Sequence, residues 1–233
     1  MNQNRLIIII GAYGSGKSEY SINIAKKIRN TVAGDVCLID LDVVNPYFRS
    51  RDVIDLLAKE NIDVIAPDKK FGNADLPMIS PRVKGAIKDL NRTVILDVGG
   101  DPAGSKALGR FEDDIKEREY EMIFVVNTKR PFTSNYEDIV EMKEMLENIS
   151  KLKVSEIICN ANLIEQTNID LITDGIAIIK EVAEKQNLKF NNYLVMEDKN
   201  NIYPDEINGI KKINLEYFLA KPWETGVKSN AFC

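Results

Sequence analysis

Eight consecutive residues, Gly11-Ala12-Tyr13-Gly14-Ser15-Gly16-Lys17-Ser18, restrict the folds open to this chain more than any other stretch. They follow an apolar run, Leu6-Ile7-Ile8-Ile9-Ile10, and lead into Ser18 to Asn30, where Ile22, Ala25 and Ile28 recur at helical spacing. Strand, glycine-rich loop and helix in that order, with every defined position of G-x-x-x-x-G-K-[ST] filled, read as a phosphate-binding loop. Glycine reaches backbone conformations closed to other residues, so successive N–H groups can turn towards phosphate oxygens above the positive end of the helix. Lys17 offers a point charge to the terminal phosphates, and the Ser18 hydroxyl offers a magnesium ligand. The nucleotide-contacting set read here is Gly11, Tyr13, Gly14, Ser15, Gly16, Lys17, Ser18 and Glu19.

Beyond the loop, apolar runs alternate with helical patterns. Val36 to Leu41, Ile62 to Ala66, Thr93 to Leu96, Met122 to Val126, Glu156 to Cys159 and Tyr193 to Met196 read as strands. Arg51 to Lys59, Pro81 to Leu90, Tyr136 to Ile149 and Asp170 to Lys185 read as helices. This alternation predicts an α/β fold with a mostly parallel sheet and helices on both faces. Glu206 to Ala220 reads as a last helix, or as a helix plus a short strand, and the tail from Lys221 as irregular. At 233 residues with no linker-like stretch, the expectation is a single nucleotide-binding domain over residues 1–233.

Composition narrows the function classes. A net charge of -5 argues against nucleic acid as the main partner, and the absence of histidine removes His-based acid–base catalysis and His-ligated metals. Cys37, Cys159 and Cys233 stand far apart, which supports neither a disulfide framework nor a zinc site; Cys37 and Cys159 fall in strands as small buried hydrophobes. No leader-like or membrane-spanning run appears, so a soluble cytoplasmic protein without a membrane anchor is expected.

In an open parallel sheet the ligand lies beyond the carboxyl ends of the strands, so the polar residues there carry the chemistry. The run ending in Asp40-Leu41-Asp42 sets two carboxylates on the same side of an extended segment. One can orient or deprotonate a water and the other can hold magnesium or its hydration shell, while Asn45 before Pro46 reads as a helix cap. The run Val94-Ile95-Leu96-Asp97 ends in Asp97-Val98-Gly99-Gly100, which places a magnesium carboxylate before a glycine turn whose N–H, at Gly100, can sense the γ-phosphate. No acid follows Asp97 directly, so the water falls to Asp42 or Asp40. Asp101 to Lys106 reads either as a nucleotide-responsive loop or as a tight surface turn.

Two further strand ends concern the base. Asn127-Thr128-Lys129-Arg130-Pro131 has proline where a guanine-reading loop needs an aspartate, and Asn160 or Asn162 could pair with an adenine edge, which favours ATP over GTP.

With these pieces in place, the chain resembles the MinD/ParA-like branch of the SIMIBI-class P-loop NTPases, the group that also holds the nitrogenase iron protein and several metallochaperone NTPases. The resemblance rests on Gly11 to Ser18, Asp40-x-Asp42, Asp97-x-Gly99-Gly100 and Asn160, over at least residues 5–165. It implies a three-layer P-loop NTPase fold with a mostly parallel seven- or eight-stranded sheet, and ATP and Mg2+ held between two subunits. Within it Lys17 and Ser18 bind phosphate and metal, Asp42 positions water and serves the metal with Ser18, and Asp97 completes the metal site. Many members carry a second lysine directly after the first glycine of the loop. Here that position is Ala12, and Arg49, Arg51 and Lys106 are the candidates by location for a replacement cation.

The leading expectation is a Mg-ATP-dependent ATPase that switches conformation or dimerises to engage a client protein. The alternatives are a phosphotransferase with Asp68 to Arg82 as an acceptor lid, a GTP-dependent metallochaperone-type NTPase, and a nucleotide-binding scaffold without turnover.

Overall fold

The run Leu6–Ile10 forms strand β1, and all five of its side chains are buried. An alternating strand needs cover on one face, whereas an unbroken apolar strand needs it on both. The computed structural model, which describes residues 5–32, 34–42, 51–66, 80–196 and 202–219, provides that cover with a nine-stranded sheet between two helical layers. After β1 come α1 (Lys17–Thr31), β2 (Asp35–Asp40), α2 (Arg51–Lys59), β3 (Ile62–Ile65), α3 (Pro81–Lys88), β4 (Arg92–Asp97), α4 (Pro102–Gly109) and α5 (Glu112–Lys116). There follow β5 (Tyr120–Val126), α6 (Tyr136–Ser150), β6 (Glu156–Cys159), α7 (Ile169–Gln186), β7 (Asn192–Val195), β8 (Glu206–Ile207) and β9 (Ile210–Asn214).

The strand order is β3-β2-β4-β1-β5-β6-β7-β9-β8, parallel throughout except for the β8–β9 pair. From β1 the chain winds outward through β2 and β3, returns to β4, and then crosses to β5 on the other flank of β1. That reversal opens a crevice at the carboxyl ends of the strands, where the phosphate loop lies. The two-residue period of β1 divides its side chains between the layers. Leu6, Ile8 and Ile10 join the core built with residues of α3 to α7, and Ile7 and Ile9 join the core built with α1 and α2. Among the described residues no helix is long and apolar enough to cross a membrane.

Three expectations change. The sheet has nine strands, not seven or eight, because Glu206 to Asn214 folds as a hairpin and not as a helix. Its turn is Asn208-Gly209 at φ 51° and 86°, the two left-handed residues that a tight hairpin needs. Asp101 to Lys106 is neither loop nor surface turn. Asp101 caps α4, its Oδ1 accepting from the Gly104 N–H at 2.8 Å, and Pro102 opens the helix. The Asn45 cap, Arg49, the side chain of Arg51, most of Asp68 to Arg82, and the tail with Lys221 and Cys233 lie outside the described residues.

After β9 the chain straps across one face of α1. Asn23 accepts from the Glu216 N–H at 2.8 Å and donates to the Glu216 carbonyl at 2.9 Å. Lys26 meets the Glu216 carboxylate at 3.1 Å and sits 4.3 Å above the Phe218 ring. The Glu19 carboxylate accepts from the N–H groups of Phe218 at 3.2 Å and Leu219 at 2.6 Å. Positions 19, 23 and 26 share a helix face, so a single side of α1 holds the strap.

Two outcomes follow from this packing. Burial pushes the thiols of Cys37 and Cys159 up to about 12, so both stay protonated and inert in the folded chain. Iodoacetamide at about pH 8, mapped by mass spectrometry, should modify them only after denaturation. Glu19→Ala removes the acceptor for the Phe218 and Leu219 N–H groups. It should lower stability by about 1–3 kcal/mol in urea titration and speed proteolysis within residues 215–219.

Candidate functional site

The loop leaving β1 closes on itself through the Ser15 N–H, which donates to the Ala12 carbonyl at 3.1 Å. Gly16 sits at the N-cap of α1 with φ 86°, a left-handed conformation that glycine takes without strain, and no side chain caps the helix. The N–H groups of Gly16, Lys17, Ser18 and Glu19 have no acceptor among the described residues. Orphan donors at the positive end of a fifteen-residue helix form a cradle for an anion.

The strand ends bring three carboxylates to this cradle, beside the Lys17 that opens α1. Lys17 is buried, with Nζ 4.0 Å from Oδ2 of Asp42, itself buried. The Asp42 N–H donates to Asp40 Oδ1 at 2.8 Å, and Asp40 lies in register with Asp97 across the β2–β4 pair. Asp97 accepts from the Ser21 hydroxyl at 3.1 Å, and the nearby Ser18 hydroxyl also favours its charged form. Complete burial raises its carboxyl to about 6, against the opposing pull of the Lys17 charge. The fold thus brings Lys17, Ser18, Asp40, Asp42 and Asp97 near one another.

These residues fit magnesium. Among the described residues Asp97 Oδ2 is buried without a hydrogen-bond partner near the Ser18 hydroxyl, which is an oxygen donor set with an orphaned ligand atom. Among the described residues no three Cys, Asp or Glu side chains converge to cage a metal. Magnesium needs no such cage, because it is held by one or two carboxylates together with phosphates and waters.

The glycine turn after β4 presses on the loop. A side chain on Gly100 would begin 2.6 Å from the Gly11 carbonyl oxygen and 2.7 Å from the Tyr13 nitrogen, a separation no Cβ tolerates. Gly100 therefore touches the phosphate loop directly, and Asp101 beside it caps α4. Ala12 is buried at this contact, and Lys106 is exposed on α4.

Other residues take places the sequence did not indicate. The Glu19 side chain turns to the strap, and burial raises its carboxyl to about 7, so only its main-chain N–H remains towards the cradle. Asn160 donates through Nδ2 to the Ser15 carbonyl at 2.7 Å, which makes it a prop of the loop. Asn127 is engaged with Lys129 and Asn162, and Asn162 accepts from the Ile164 N–H at 2.6 Å. Arg130, absent from the sequence-based set, donates through Nε to the Gly14 carbonyl at 3.3 Å. Its only signal in the sequence is a basic residue shortly after an apolar strand. Tyr13 and Phe132 stand 68% and 73% exposed beside this contact, and Phe132 holds φ 67°, a strained value for a bulky residue.

No protein-family model matches the chain, and no curated protein matches it. Solved structures do. Cell division protein FtsY of Thermotoga maritima superimposes with TM-score 0.57 at 16% identity, over 84% of this chain and 63% of that one. FtsY of Mycoplasma mycoides gives 0.54 at 13% identity, over 82% of this chain and 59% of that one. A nucleotide-binding protein of Archaeoglobus fulgidus, solved with ADP, gives 0.52 at 15% identity over 84% and 83%. The chain thus spans less than two thirds of either FtsY. At these identities the likeness is one of fold: a three-layer α/β architecture with a mostly parallel sheet, that of P-loop NTPases.

Proposed function

We propose that this chain is a magnesium-dependent nucleoside triphosphatase of the MinD/ParA-like kind. Its substrate is ATP, and hydrolysis switches its association with a second copy and with a client protein. The observation that carries this reading is the uncapped N-terminus of α1, with four N–H groups unaccepted among the described residues, set against buried Lys17 and Asp97 beside Ser18.

The steps follow from the residues. The orphan N–H groups take the phosphate oxygens, and Lys17 turns from Asp42 to the terminal phosphates. Ser18, Asp97 and Asp42 would hold magnesium, which when bound neutralises charge on the β- and γ-phosphates. Asp42, held through its N–H by Asp40, orients the water. The water oxygen bonds to the γ-phosphorus as the bond to the β–γ bridging oxygen breaks, and the water proton passes to the carboxylate. Gly100, in contact with the loop, carries loss of the γ-phosphate to α4.

ATP is favoured because residues 127–133 and 160–163 contain no carboxylate to accept from guanine N–H groups. Support for a second copy as partner comes from two large exposed side chains, Tyr13 in the loop and Phe132 two residues beyond Arg130, the latter strained.

Three measurements test the reading. Lys17→Ala should weaken Mg-ATP binding at least about tenfold in calorimetry, and unchanged affinity would refute the phosphate assignment. Asp42→Ala should bind ATP within about threefold of wild type while its phosphate release falls roughly 10²–10⁴-fold. Light scattering should show a dimer with Mg-ATP and a monomer with ADP; equal masses would exclude a dimerisation switch.

A further inference from the structure

The cradle accounts for the phosphates and leaves the base without a partner. Asp42 and Asp97 mark the terminal-phosphate end at β2 and β4, so sugar and base leave over the ends of β5 and β6, on the other flank of β1. The asparagines there are largely committed to the backbone, and the Thr128 Oγ1, unpartnered among the described residues, is buried. Asn160 Nδ2 holds the Ser15 carbonyl, Asn127 uses both ends of its amide on residues 129 and 162, and Asn162 Oδ1 accepts from Ile164. No carboxylate occurs in residues 127–133 or 160–163 to read an edge.

Arg130 is differently placed. Its Nε holds the Gly14 carbonyl at 3.3 Å, next along the loop from the carbonyl that Asn160 holds at 2.7 Å. A side chain on Gly14 would begin 3.1 Å from that Nε and 3.6 Å from Cζ, so the guanidinium rests on the loop itself. Its Nη groups have no partner among the described residues. A planar cation pinned by one nitrogen beside the path of the base has its face to offer.

We infer that Arg130 is the base platform of this site, stacking its guanidinium plane on the purine ring and reading the base by its face and not by its edge. The inference rests on the nucleotide-binding reading and deepens it. Adenine and guanine both present an aromatic face, so the preference for ATP over GTP is modest, set by the absence of a guanine-reading acid and not by a positive contact to adenine.

Calorimetry with ADP, GDP and inorganic pyrophosphate, each with magnesium, on wild type, Arg130→Ala and Arg130→Lys tests this. Wild type should bind ADP and GDP within about tenfold of each other. Arg130→Ala should weaken both by about three- to thirtyfold and leave pyrophosphate within about twofold. Arg130→Lys, which keeps the charge without the plane, should remain weakened for both nucleotides. An equal loss for pyrophosphate would make Arg130 a phosphate cation or a prop of the loop and overturn the platform. So would full recovery by lysine, unchanged nucleotide affinity in Arg130→Ala, or a wild-type preference between the two bases above about tenfold. Wild type that binds neither ADP nor pyrophosphate would instead defeat the nucleotide reading itself.

Discussion

Four main-chain N–H groups at the start of α1 have no acceptor among the described residues, and the surrounding structure is arranged about that deficit. A helix N-terminus is ordinarily satisfied by a cap, as Ser80, Asp101, Asn135 and Asn168 satisfy those of α3, α4, α6 and α7. At α1 the cap position is Gly16, which has nothing to offer and whose left-handed φ keeps the donors turned outward. The sheet supports this at its centre. β1 is buried on both faces, so the loop it delivers is anchored by two cores at once.

Charge balance decides what the cradle can hold. Asp40, Asp42 and Asp97 are buried close to a single buried lysine, an acidic set that fits a divalent cation better than a bare anion. The raised carboxyl of Asp97 records the same fact, since burial without full compensation makes its charge costly. On the proposed reading, a nucleotide bound with its metal would relieve both the orphan donors and the crowded carboxylates.

Contacts around the loop extend this dependence outward. Gly100 links it to α4, Asn160 and Arg130 hold consecutive carbonyls from β6 and β5, and Glu19 ties the first turn of α1 to the strap that follows β9. Elements distant in sequence therefore meet at one loop, and a shift of that loop would be felt in each of them.

What the sequence determined by itself was whatever depends on local order or on simple period. The phosphate motif follows from glycines and a lysine at fixed spacing, and the parallel sheet from apolar runs without alternation, as in Leu6–Ile10. The Asp-Pro opening of α4 and the Asn-Gly turn of the β8–β9 hairpin are equally local, yet read in sequence as a loop or surface turn and as a helix or helix plus short strand, because a short motif competes with the composition around it. Tertiary structure decided which polar groups remain available. An asparagine can read a base or prop a backbone, and the folded chain commits Asn160 to Ser15. A glutamate after Ser18 can face a nucleotide or a strap nearly two hundred residues away, and Glu19 faces the strap. Arg130 meets Gly14 only because β5 pairs with β1. Spacing along the chain sets which groups exist and roughly which side they leave from. Only the strand order sets which of them touch, because hydrogen bonds form between neighbours in space that the chain brings together from far apart.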